Sequence, residues 1–260
     1  MLIFNKFNFN KLDFNKFNFN TLRVAAACLL LLSGCVAKNR SAQPAGEYRE
    51  QILLEANNYD GLIDLYRSRL KKRENAAVRL KLATFYYLSR DSKSSLYYLQ
   101  PLLKKPNEEI YLLHVKNMIA LADYEGALKV ADAMLLKYPK SAEGWNLRGI
   151  ILADTGKLAE ALPDIQRSRD LFLNEAIALN NLAMLAMLNG RYDEASRLLL
   201  PLYLKGKKDR QLIHNLVFAL VQSGDQRSAR DIVTTEKLAA DPERLIAALS
   251  QVKTLKKETP

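Results

Sequence analysis

Few side chains in this 260-residue chain could make or break bonds, and their spacing argues against it. His114 and His214 have no carboxylate, cysteine or second histidine at helical spacing, so neither completes a metal site or an acid–base pair. Cys28 and Cys35 are the only cysteines, and neither is matched with a histidine as a thiol nucleophile would be. There is no glycine-rich phosphate loop and no serine nucleophile elbow. Aspartates and glutamates are scattered along helical faces, as on a solvated surface. What recurs is a chemistry of recognition. Asn146, Asn180 and His214 are each 34 residues apart, and a row of amides can hydrogen-bond the backbone of an extended peptide. The expectation is a non-enzyme, with no metal, no small-molecule substrate and a protein as its partner.

The elements that must position such a row are helices. Glycine and proline number only 10 and 8, which suits helices joined by short turns. Small residues recur at Ser95, Ala127, Ala161, Ala195 and Ala229, spaced by 32 and then three times by 34. Sixteen residues before each stands a long or bulky one: Arg79, Tyr111, Trp145, Leu179 and Ile213. Four residues after these come Ala83, Val115, Gly149, Ala183 and Val217, and Gly156, Gly190 and Gly224 share a turn position. A helix pair cannot bury its apolar face alone, so a 34-residue period of such pairs predicts a stack.

This pattern resembles the tetratricopeptide repeat. The resemblance implies an all-α solenoid, a right-handed superhelix of antiparallel helix pairs. Five repeats would cover residues 76–240, after a degenerate repeat at 47–75 and before a capping helix and tail at 241–260. Arg79, His114 and Arg148 depart from the usual aromatic or leucine. Asp241-Pro242-Glu243 opens the final helix, expected to reach about Lys253, with cap, first-position proline and acid in the usual order. Pro101 and Pro201 fall at one register position, each six residues after its small residue, and Pro163 lies inside another second helix; a shared bend and a helix end are both open there. First helices line the concave face in this architecture. The resemblance therefore implies a partner groove of Thr84, Tyr87, Lys116, Ile119, Asn146, Ile150, Asn180, Met184, Met187, His214 and Phe218, the last apolar ones adaptable.

The front of the chain is different in kind. Residues 4–20 alternate phenylalanine and asparagine, which reads as an expanded signal n-region or as a segment able to pair as a β ribbon. Arg23 then precedes an apolar run, residues 24–32, too short to span a bilayer and of secretory length. It ends in Leu32-Ser33-Gly34-Cys35, which resembles the bacterial lipobox. That resemblance makes residues 1–34 a lipoprotein signal peptide and Cys35 the site of a covalent diacylglycerol, such lipid being the only prosthetic group expected. Cys28 would be discarded, so no disulfide could form in the mature chain. Val36, where inner-membrane lipoproteins usually carry Asp, favours the outer membrane, and residues 35–46 read as a flexible tether.

The net charge is +11. The first 34 residues hold four of the 39 basic and one of the 28 acidic residues, leaving 35 against 27, or +8. Cations cluster at Lys71-Lys72-Arg73, Lys104-Lys105 and Lys205 with Lys207-Lys208, all where second helices end; they complement helix C-termini or face anionic lipid near the anchor. No aromatic–basic platform for nucleic acid is present. A lipobox followed by such repeats is similar to the TadD-like lipoproteins of the tight-adherence (Flp pilus) system and, more distantly, to secretin pilotins. The resemblance implies a periplasm-facing assembly factor for a secretin or a neighbouring pilus component. A lipidated adaptor for envelope hydrolases or outer-membrane assembly proteins is the alternative.

Overall fold

A computed structural model describes residues 45–252. The expected signal peptide, Cys35 and most of the expected tether lie outside them. The described residues form helices joined by short turns. The first pair is α1 (Ala45–Glu55) and α2 (Tyr59–Lys72), then α3 (Ala76–Leu88) and α4 (Ser92–Leu99), then α5 (Glu108–Ala120) and α6 (Tyr124–Lys137). The array continues with α7 (Ala142–Asp154) and α8 (Leu158–Asp170), α9 (Glu175–Leu188) and α10 (Tyr192–Leu204), and α11 (Arg210–Ser223) and α12 (Gln226–Thr235). A last helix, α13 (Pro242–Ser250), packs on α11 and α12.

Local chemistry explains the boundaries. Most helices start after a residue whose side-chain oxygen accepts from the free backbone N–H groups of the first turn: Asn58, Asp91, Asp123 and Asp225 before second helices, Asn75, Asn107, Ser141, Asn174 and Asp209 before first ones. Lys157 and Arg191 give α8 and α10 no such bond, and acids in the first turn, Glu160 and then Asp193 with Glu194, serve the helix dipole instead. The turn inside each pair closes on a left-handed residue, with φ of 50° at Asn57, 68° at Arg90, 60° at Ala122, 81° at Gly156, 72° at Gly190 and 91° at Gly224. The turn geometry is thus constant even where the glycine is not.

The prolines divide. At Pro101 the α-helix has already ended, and Gln100–Lys104 continues as a 3-10 turn, whereas α10 runs on through Pro201 and α8 through Pro163. One register position therefore ends one α-helix and is tolerated in another. The capping helix stops at Ser250, short of Lys253, because Gln222 of α11 takes the carbonyls of Leu249 (2.7 Å) and Val252 (3.1 Å) with its side-chain amide.

Consecutive helices pack in order, and α7 and α8 pack most extensively. Gly149 explains why: a Cβ there would lie 2.6 Å from Ile165 Cγ1 and 3.2 Å from the Ala161 carbonyl. Ser95 occupies the small-residue register for a further reason. Its hydroxyl donates to the Ala83 carbonyl (2.7 Å) and accepts from Asn117 Nδ2 (2.8 Å), joining α3, α4 and α5 through a buried polar chain. Arg148, where the repeat favours leucine, bridges α6 and α8 by binding Asp132 (2.6 Å) and Asp164 (2.7 Å).

The first pair is held by a charged cluster. Glu50 of α1 accepts hydrogen bonds from Tyr66 and Arg69 of α2 and from Lys81 of α3. Burial alone would raise its pKa, but those three donors outweigh burial and hold it at about 2. A carboxyl whose folded pKa lies below its unfolded value stabilises above the ordinary glutamate range and loses that contribution as pH falls toward 2. Helix α1 is therefore expected to lose amide-exchange protection between about pH 4.5 and 2 in the wild type. In Glu50→Gln the protection of α1 should be low already at pH 7 and vary less over that interval; equal profiles would refute the clamp.

Candidate partner-binding face

First helices also touch one another from repeat to repeat: α3 on α5, α5 on α7, α7 on α9, α9 on α11. No comparable contact joins successive second helices, so the array curves with its first helices on the inner side. The expected groove residues all lie on these helices, but they separate into two groups.

Ile119 (1% exposed), Ile150 (1%), Met184 (1%), Met187 (2%), Phe218 (2%) and Asn146 (6%) are buried. The expectation that they line an open groove is corrected: these side chains are buried among the stacked helices, Phe218 for example edge-on to Tyr192 of α10 at 6.0 Å. The amides are also committed inside the fold. Asn181 Nδ2 donates to Asn146 Oδ1 (2.7 Å), and Asn215 Nδ2 donates to Asn180 Oδ1 (2.8 Å). The row is thus an internal ladder between α7, α9 and α11, with each rung reaching the residue one beyond the 34-residue partner.

Thr84, Tyr87, Lys116, Asn180 and His214 remain partly exposed. Thr84 returns its hydroxyl to the Leu80 carbonyl of its own helix (2.9 Å). Lys116 of α5 pairs with Glu143 of α7 at 2.5 Å. Tyr87 of α3 lies near the same carboxylate: burial raises its phenol pKa, and the charge of Glu143 adds to the rise. Burial lowers the pKa of His214, reinforced by Arg210 and opposed by Asp209, so its imidazole is neutral at pH 7. His114 is likewise lowered by burial.

The reading of the sequence missed the row that is accessible. Glu143, Ile177 and Gln211 keep the 34-residue spacing and stand three residues before Asn146, Asn180 and His214, on the same helical face. Ile177 is 46% exposed. The i−3 relation was the available signal. Together with Tyr87 and Lys116, this row offers hydrogen-bonding, ionic and apolar contacts. Among the described residues no three His, Cys, Asp or Glu side chains gather as a metal site, and no helix is long and apolar enough to cross a membrane.

Residues 114–172 and 154–200 match the family profile of the tetratricopeptide repeat. The fold is a tetratricopeptide-repeat solenoid. A thermophilic tetratricopeptide-repeat protein of Thermus thermophilus superposes with a TM-score of 0.60 at 21% identity, over 68% of this chain and 100% of that one. A tetratricopeptide-repeat protein of Parabacteroides merdae gives 0.59 at 17% identity, over 78% and 82%. The Cut9–Hcn1 hetero-tetramer of the APC/C gives 0.55 at 15% identity, over 78% of this chain and 41% of that one. No curated protein matches the chain. Tetratricopeptide repeats imply a scaffold for protein–protein interaction.

Proposed function

We propose that this chain is a lipid-anchored, protein-binding assembly factor of the bacterial outer membrane, serving Flp/Tad pilus biogenesis. The anchor would be a diacylglycerol on Cys35, and the solenoid would hold a segment of the secretin or of a neighbouring pilus component, aiding assembly or localisation of that channel. The observation that carries the reading is the apolar run of residues 24–32 ending in Leu32-Ser33-Gly34-Cys35, placed directly ahead of repeats that offer recognition surface and no reactive group. Diacyl and N-acyl groups together would anchor firmly, where one chain would not. The mechanism is binding and delivery, with no bond made or broken.

The test compares secretin multimers, resolved by gel without heating, in wild type, in a deletion strain and in Cys35→Ala. Multimers should fall in the deletion strain, and Cys35→Ala should mislocalise the protein and reproduce much of the loss. Normal multimers and normal piliation in the deletion strain would overturn the pilus reading; accompanying loss of an envelope hydrolase complex would favour the adaptor role instead.

A further inference from the structure

Leu136, Phe172 and Leu204 are 88%, 94% and 73% exposed. Each sits where a second helix gives way to the next first helix: near the end of α6, in the turn after α8, and at the end of α10. Helices alternate in direction along the array, so these turns share one edge of the solenoid. On the opposite edge Leu88 and Leu121 are only 42% and 41% exposed. Single exposed apolar residues are ordinary; three of this size on one edge of consecutive repeats are not.

Phe172 adds a second, independent observation. Its backbone is left-handed, with φ of 67°, at the register position where the next repeat has Gly206 with φ of 82°. A bulky aromatic is strained in that region, and this one gains no burial within the chain in return. The conformation closes the turn after α8, with the Phe172 N–H donating to the Arg169 carbonyl (2.9 Å) and the Leu173 N–H to the Ser168 carbonyl (3.0 Å); what the fold does not use is the aromatic side chain placed there.

Most of the free charge on the same edge is cationic. Lys205 and Lys207 make no ion pair among the described residues, and Lys137, which also makes none, reaches the Pro106 carbonyl (3.0 Å) and lies over the Tyr138 ring (5.3 Å). Several acids there are occupied: Asp209 caps α11, Glu236 takes Lys208 and the Tyr203 hydroxyl, and Glu175 faces Arg169, while Asp170 beside Phe172 is exposed. Lysines complement helix C-termini, but that does not account for the leucines and phenylalanine between them.

We propose that this edge is a lipid-docking surface. Leu136, Phe172 and Leu204 enter the boundary between headgroups and acyl chains, while Lys137, Lys205 and Lys207 meet the phosphates of an anionic leaflet. Protruding apolar side chains with lysines beside them suit a planar, deformable surface better than a shaped protein partner, which would need a complementary cavity. The inference rests on Cys35 being acylated. The ten residues from there to Ala45 span at most about 35 Å, which keeps the solenoid beside the bilayer.

The test uses the acylated full chain in phosphatidylethanolamine–phosphatidylglycerol vesicles. Cys28 is removed and Cys35 acylated on this reading, so Phe172→Cys supplies the only thiol for an environment-sensitive nitrobenzoxadiazole label. Its emission should rise several-fold and be quenched by doxyl lipids, with both effects reduced in high salt or pure phosphatidylcholine. The same label at Lys157→Cys, on the opposite edge, should stay as in water. A chain that floats with the vesicles while the label at 172 behaves like that at 157 overturns the docking edge and leaves the anchor standing. A chain that does not float overturns both. Phe172→Gly should melt no lower than wild type and should dim a label at Leu204→Cys in vesicles; a lowered melting temperature would give Phe172 an internal role and overturn the argument from strain.

Discussion

Ala161→Leu is expected to lower the stability of the solenoid by about 1–3 kcal/mol, through overpacking in the most extensively packed helix pair. Ala161 is fully buried, and its carbonyl lies 3.2 Å from where a Cβ on Gly149 would stand. Leucine adds three heavy atoms beside that contact, and α7 cannot retreat without disturbing α6, α9 and the Arg148 bridge to Asp132 and Asp164. For a domain of this size each kcal/mol is worth about 2–4 °C in melting temperature. The same change at Ala195 should cost less, since its register partner across the pair is Ala183 rather than glycine and α9 and α10 pack less extensively than α7 and α8. Thermal and urea unfolding followed by far-ultraviolet circular dichroism checks both. An unchanged midpoint for Ala161→Leu, or a larger loss at Ala195, would refute the packing account. In a one-dimensional array the damage is local, so the transition is also expected to broaden.

This contact was legible in the sequence because a close approach excludes side chains wherever it occurs. Ser95, Ala127, Ala161, Ala195 and Ala229 mark the register for that reason, and all are fully buried. The turn register was legible only in part: Gly156, Gly190 and Gly224 announced it, but Asn57, Arg90 and Ala122 adopt the same backbone without the signature. The inner face was harder. Whether residues such as Ile150, Met184 and Phe218 are open or closed depends on how tightly neighbouring helices, first and second alike, press together, and residue type does not encode that packing. Polarity misled in the same way: Asn146 looked solvent-facing because asparagine usually is, yet a buried amide is acceptable when a second amide meets it. Phe172 left a trace only as a missing glycine, visible once Gly206 is aligned one repeat later.

The amide ladder yields the second large effect, and its outcome separates a structural row from a binding one. Asn181→Leu should destabilise by about 1–3 kcal/mol, because Asn146 Oδ1 is left buried without its donor. Asn146→Leu should cost a similar amount by stranding the Asn181 amide, itself 2% exposed. Changing both removes the polar pair altogether, and replacing two matched buried partners by apolar groups of similar shape can be nearly neutral. The double variant should therefore be more stable than the two single losses predict, with a favourable interaction term of at least about 0.5 kcal/mol in a double-mutant cycle measured by urea unfolding. At the second rung, Asn215→Leu should cost less, because Asn180 is partly exposed and water can take the place of the lost donor. If Asn146 instead served a bound peptide, Asn146→Leu would weaken partner capture with stability unchanged, and the cycle would show no coupling to Asn181. The 2.7 Å contact between the two amides argues for the coupled result, and it moves the search for partner contacts one turn back along each helix, to Glu143, Ile177 and Gln211.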